Sequence, residues 1–340
     1  MPESILAEPL DRIAGGASTS VISTVLPAID GLLATTSVVL VIAWAIHRRR
    51  HPRAWSLQDA PPRPNRFVDE SLLIAVGTYF LAAVLVATLV GTDSPDAPKA
   101  LIRLLAAIAT NVVGLAICAG IATAQFDGGG IRLLLGNPPP TPSAPSAAGD
   151  PSTSPGDPVW HRFSTGADTD CKPVPHLFRR RSSPTALSLA ATVCAIGLCP
   201  VLAMVVVIAV RWFAPDFDFS THPTLLALRS GESSPALVVG LWLSAVVSAP
   251  LAEEFFFRGI VQTHLSKVLG GRWRAIGVTA MAFGIVHAQQ PHAMLPLVLF
   301  AVLLGYVYER TGALVFPLLI HAAFNAKSML WEALGAGSSL

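Results

Sequence analysis

Apolar stretches of bilayer length recur along this chain. A helix needs about 20 mainly apolar residues to cross the hydrocarbon core of a membrane. Stretches of that character occupy roughly residues 25–46, 71–91, 100–124, 185–212, 235–257, 275–290, 293–309 and 313–334. The sixth and seventh are short, but Pro291 falls between them and turn or charge signals bound them, so they read as two spans. The expected fold class is an all-α membrane protein, a polytopic helical bundle of about eight transmembrane helices. Composition agrees: 52% of the 340 residues are hydrophobic and only 13% charged, whereas a soluble domain carries about 25% charge to cover its core.

Between the third and fourth spans lies GNPPPTPSAPSAAGDPSTSPGDP, residues 136–158. Proline, serine, alanine and glycine at this density cannot bury a core, so the stretch reads as a linker. The expected organisation is therefore a three-helix membrane region over 1–126, a linker over 127–183, and a five-helix unit over 184–340. The N-terminal MPESILAEPLDR lacks a basic segment followed by a short apolar core, which argues against a cleaved signal peptide. A net charge of +2, with no basic stripe interleaved with aromatics, gives no footprint for nucleic acid. The four cysteines show neither a disulfide framework nor zinc-ribbon spacing.

With alternating spans, most basic residues fall on one side, including Arg48 to Arg50, Arg132, Arg179 to Arg181, Arg258, Lys267, Arg272, Arg274 and Arg310. The other side or its span ends keep Arg12, Lys99, Arg103, Arg211, Arg229 and Lys327. Positive loops stay in the cytoplasm. The expectation is a multi-pass protein of the cell membrane with both termini outside and the linker 127–183 cytoplasmic. Trp44, Trp212, Trp273 and Trp331 lie near span ends and fit an interfacial aromatic belt.

Within the last four spans a few polar residues stand out: Glu253, Glu254 and Arg258 in LAEEFFFRG, His287, and His321 with Asn325. A charge at mid-bilayer costs roughly 2.5–3.5 kcal/mol on insertion scales, so such residues face the bundle interior and often mark a site. Glu254 and Arg258 are four apart and can pair on one helical face, as can His321 and Asn325, and Phe283 and His287 repeat the spacing. Glu253 lies 17 residues before Gly270 and His287 lies 16 after Gly271. In a helical hairpin both would sit at similar depth, roughly 25 Å along each helix at most. His321 would enter from the same side on a helix starting near Gly312.

Two adjacent carboxyls in a low-dielectric site cannot both ionise cheaply. Arg258 would keep Glu254 charged, which leaves Glu253 as the general base. A water between Glu253 and His287 could then attack a carbonyl, with His321 and Asn325 donating to the oxyanion. No serine or cysteine accompanies the set, so water is the expected nucleophile. The residues also admit other readings. Glu253, Glu254 and Arg258 could form an ion cluster at a span end, and His321 with Asn325 could simply join helices. Glu253, His287 and His321 could hold zinc, although HExxH is absent. A transporter would need paired broken helices or repeats, which the sequence lacks.

EEFFFR fits the pattern EExxxR, FGIVH fits FxxxH and HAAFN fits HxxxN, in that order and each on an apolar span. Together, over roughly residues 185–334, they resemble the CPBP family of intramembrane proteases (CAAX protease and bacteriocin-processing, also called type II CAAX prenyl endopeptidases or the abortive-infection family). The resemblance implies an endopeptidase acting on a peptide or protein substrate, membrane-anchored in some members, within the lipid bilayer. Eukaryotic members remove the last three residues of prenylated CaaX proteins. It implies Glu253 and His287 as the water-activating pair, His321 and Asn325 as the oxyanion pocket, and Glu254, Arg258 and Phe283 in support. No cofactor is expected, zinc being the disfavoured alternative. A non-catalytic immunity or scaffold role is a further alternative that an intact charged set argues against.

Overall fold

The computed structural model describes residues 17–50 (side chains from Thr24), 183–217, 219, 235–288 and 290–334, with isolated positions between 57 and 120. The chain divides into two compact units, Met1–Asn137 with Ser183–Leu340, and Pro138–Ser182. The second lies outside the described residues.

Among the described residues every regular element is a helix. Helix α1 spans Ala17–Arg50 and α2 Pro184–Phe213. The chain then runs through α3 (Pro235–Leu243), a π-helical stretch π1 (Ser244–Ser248), α4 (Ala249–Glu254), a second π-helical stretch π2 (Phe255–Gln262) and α5 (Thr263–Val268). These form one continuous helix, Pro235–Val268. A turn at Gly270, whose φ of 60° suits glycine, leads into α6 (Arg272–Val286). Helix α7 (Pro291–Thr311) begins on a proline whose missing N–H costs nothing there. It ends on Gly312, whose φ is 72° and whose N–H bonds to the Tyr308 carbonyl. Helix α8 covers Val315–Ala333. The expected hairpin turn at Gly270 and the break at Pro291 are both present.

Four helices among the described residues are long and apolar enough to cross a membrane: Thr24–Arg50, Pro184–Phe213, Pro235–Val268 and Pro291–Thr311. They correspond to the expected spans 25–46, 185–212, 235–257 and 293–309. The expected spans 71–91 and 100–124 lie largely outside the described residues. Helix α6 has only 15 residues, about 22 Å of rise. Helix α8 is longer but carries His321, Asn325, Lys327 and Glu332 among its apolar residues. Eight crossings are therefore not read directly from these helices.

Burial is inverted relative to a soluble protein. Large apolar side chains point outward, with Leu189 69%, Ile208 59%, Val239 58% and Leu319 60% exposed, while Glu254, Arg258, Gln262 and Glu309 are at most 1% exposed. Lipid would cover the first group at no cost, and the second avoids it by turning inward. All eight residues of π2 are buried. Its phenylalanines pack with Phe283, Phe300, Leu304 and Ile320 into the main core, so the glutamates of α4 enter the centre of the bundle.

Small residues allow the helices to approach. A Cβ at Gly197 would collide with the Leu33 carbonyl and Ser37 Oγ on α1, and one at Gly284 with Val298 on α7. Ser37 Oγ also donates to the Val193 carbonyl at 2.8 Å, fastening α1 to α2.

Candidate active site

Glu253 and Glu254 end α4 and Arg258 lies one turn into π2. Single π-turns inside α-helices recur at functional sites because they re-aim side chains. Here two π stretches flank the glutamates. The expected Glu254–Arg258 pair forms at 2.9 Å with both side chains buried. Arg258 Nη2 also donates to the Ala301 carbonyl of α7 at 3.3 Å, and the guanidinium lies 4.9 Å from the Phe283 ring centre and 6.0 Å from that of Phe257. A buried cation thus has one carboxylate, one carbonyl and two aromatic faces to offset its lost hydration.

His321 of α8 reaches the same carboxylate. Its Nδ1 lies 2.7 Å from Glu254 Oε1, and its Nε2 lies 3.9 Å from Glu253 Oε2. A carboxylate paired with arginine can only accept, so His321 Nδ1 is assigned as the donor and Nε2 is left facing Glu253. Among the described residues, Glu253 Oε2, Glu254 Oε2 and Arg258 Nε are buried and have no hydrogen-bond partner. Such a concentration of unsatisfied polar atoms costs stability and needs water, substrate or chemistry to account for it.

His287 is placed differently from expectation. It caps the C-terminus of α6, and its Nδ1 is 2.7 Å from the Phe283 carbonyl one turn back. A carbonyl only accepts, so this nitrogen donates too, and among the described residues Nε2 has no hydrogen bond. Among the described residues no hydrogen bond or ion pair joins His287 to Glu253; the imidazole facing Glu253 is His321. Phe283, fully buried, stands between the histidines. Its ring centre is 4.7 Å from His287 and 5.9 Å from His321, and Phe300 packs 5.2 Å from His321 on another side.

Asn325 Nδ2 donates to the Ala245 carbonyl in π1 at 2.8 Å. One of its two amide hydrogens is thereby spent on tying α8 to the long helix. The arrangement thus joins Glu254, Arg258 and His321 directly, sets Glu253 opposite His321 at 3.9 Å, brings Asn325 in through the backbone, and sets His287 beyond Phe283.

Among the described residues no three histidine, cysteine, aspartate or glutamate side chains converge in a way that would hold a metal ion. The alternative zinc set of Glu253, His287 and His321 forms no such group.

Sequence reading passed over a second polar seam. Gln262 Nε2 donates to Glu309 Oε1 at 2.8 Å and to the Gly305 carbonyl at 3.2 Å, and Arg272 lies 3.5 Å from the other Glu309 oxygen. Thr263 Oγ1 caps the Arg258 carbonyl at 2.9 Å. The signal was present: Gln262 follows Arg258 by the same step of four that joins Arg258 to Glu254.

Residues 235–327 match a family model described as type II CAAX prenyl endopeptidase Rce1-like. The matched segment begins with α3 and ends just past Asn325, so it contains every residue of the site. No curated protein and no solved structure matches the chain.

Proposed function

We propose, from the Rce1-like type II CAAX prenyl endopeptidase domain at residues 235–327, that this membrane protein is an intramembrane endopeptidase in which Glu253 activates the attacking water. The observation that carries this reading is the unpartnered Glu253 Oε2 facing His321 Nε2 across 3.9 Å. That gap is too long for a direct hydrogen bond, and a water could touch both atoms only from the side, where the substrate carbonyl would also have to lie.

In this reading Glu253 takes a proton as the water oxygen attacks the peptide carbonyl, and returns it to the departing amine. Peptide and water become an acid and an amine, with no proton left over. His321, oriented by Glu254, contributes Nε2 to the developing oxyanion when protonated, alongside the second amide hydrogen of Asn325. His287 supplies a further imidazole at the substrate, with Nε2 unbound and Phe283 fixing its ring. Glu254 and Arg258 act through His321. The reaction so written needs no metal. The substrate is a peptide or protein segment presented from the bilayer. The orientation that suits it has eight crossings, both termini outside and the linker 127–183 in the cytoplasm.

The test is purified protein in detergent with a peptide library that includes prenylated C-terminal peptides, read by mass spectrometry. Discrete new termini, lost in Glu253→Gln, support the reading; no cleavage of any member by the wild type opposes it.

A further inference from the structure

Helix α1 lies outside the segment that matches the protease family, yet it is bound to the helix that carries His321. Asp30 Oδ1 pairs with Lys327 Nζ at 2.8 Å. Asp30 Oδ2 accepts from Trp331 Nε1, also at 2.8 Å. The Lys327 ammonium in turn lies 4.5 Å from the Trp331 ring centre. Both carboxylate oxygens of Asp30 therefore face the same side of α8, on residues four apart. An aspartate in an apolar helix is costly unless paired, and paired ones seldom stand without a role.

What this contact can do follows from where it falls on α8. Lys327 comes two residues after Asn325 and six after His321, less than two turns away. A helix rises about 1.5 Å per residue and turns about 100°, so a small slide or rotation at Lys327 reaches His321 almost undiminished. At His321 there is little tolerance, since Nδ1 meets Glu254 at 2.7 Å while Nε2 faces Glu253 at 3.9 Å.

Helix α1 is itself held firmly enough to serve as a reference. Ser37 bonds to the Val193 carbonyl of α2, Gly197 lets the two backbones touch, and near its far end Trp44 and Arg48 lie close to Tyr306 of α7.

We infer that Asp30 is a positioning residue of the protease site: α1 fixes the height and rotation of α8 through Lys327 and Trp331, and so sets His321 against the two glutamates. This rests on the endopeptidase reading above. It assigns the first helix a part in catalysis without contact with substrate.

The test compares Asp30→Lys, Lys327→Asp and the exchanged pair Asp30→Lys/Lys327→Asp, in full-length protein, for kcat, KM and melting temperature. Each single variant should lose on the order of 10- to 100-fold in kcat, the cost of a misplacement of about 1 Å, with KM little changed. The exchanged pair should recover part of that loss by restoring the ion pair without the acceptor for Trp331, and Asp30→Glu should stay near wild type. Single variants with wild-type kcat would overturn the inference, as would an exchanged pair no better than the worse single variant. If Asp30→Lys does not fold, Asp30→Asn keeps an acceptor for Trp331 while removing the charge: reduced kcat is expected, and wild-type kcat overturns the inference. Failure of the endopeptidase reading looks different, since the wild type would then cleave no peptide, or cleave no faster than Glu253→Gln.

Discussion

His321 and Glu254, 67 residues apart in sequence, meet through a 2.7 Å hydrogen bond between Nδ1 and Oε1. That oxygen also accepts from Arg258 at 2.9 Å. One buried carboxylate oxygen thus couples the long helix to α8 and decides which His321 nitrogen faces Glu253.

Removing either member of the Glu254–Arg258 pair should be expensive. Breaking a buried pair leaves a charge without its counter-ion and costs about 3–5 kcal/mol. Glu254→Gln and Arg258→Met should each lower the melting temperature of the purified protein markedly. The double variant Glu254→Gln/Arg258→Met should melt above Arg258→Met or Glu254→Gln alone, yet remain inactive because His321 has lost its charged partner. A double variant with full activity would remove Glu254 from the orienting role.

Among the described residues the His287 side chain hydrogen-bonds to its own helix alone, so its loss should leave the bundle intact. His287→Ala is expected to insert in the membrane and melt near wild type, within about 1 kcal/mol for one partly exposed hydrogen bond, while cleavage is abolished. Retained cleavage would assign His287 to capping α6 and nothing more.

Phe283 separates a structural effect from a chemical one. Phe283→Leu is a large-to-small replacement in the core that keeps an apolar side chain and costs roughly 1–3 kcal/mol. It removes the ring against which Arg258, His287 and His321 are set. Activity should fall far more than stability does, as measured by kcat beside thermal melting.

Because the reaction as written passes through no metal, cleavage should survive extensive dialysis against a chelator. Loss of activity that added zinc restores would instead favour a metal-dependent reaction.

Much of this arrangement was legible in the sequence because spacing by four on an apolar helix forces both residues to one face. That logic identified Glu254 with Arg258, and depth counted from Gly270 and Gly312 brought α8 to the same site. Rotation about the helix axis was not legible. Depth counting put His287 level with Glu253, but His287 ends α6 and folds its Nδ1 back onto Phe283. The π stretches shift the phase of the long helix, and nothing in SAVVS or FFFRGIVQ announces them. The bond from Asn325 to Ala245 depends on the first of these. Asp30 passed unremarked as a single charge in an apolar run, because Trp331, to which it bonds, lies 301 residues away.

The most direct measurement compares wild type with Glu253→Gln on a peptide the wild type cuts, at saturating substrate, by mass spectrometry. Glutamine keeps the size of the side chain and cannot take a proton. The expected result is a correctly folded protein that still binds the peptide and whose kcat falls by at least about 10²-fold, the usual contribution of a general base. Cleavage by Glu253→Gln at the wild-type rate would contradict the account.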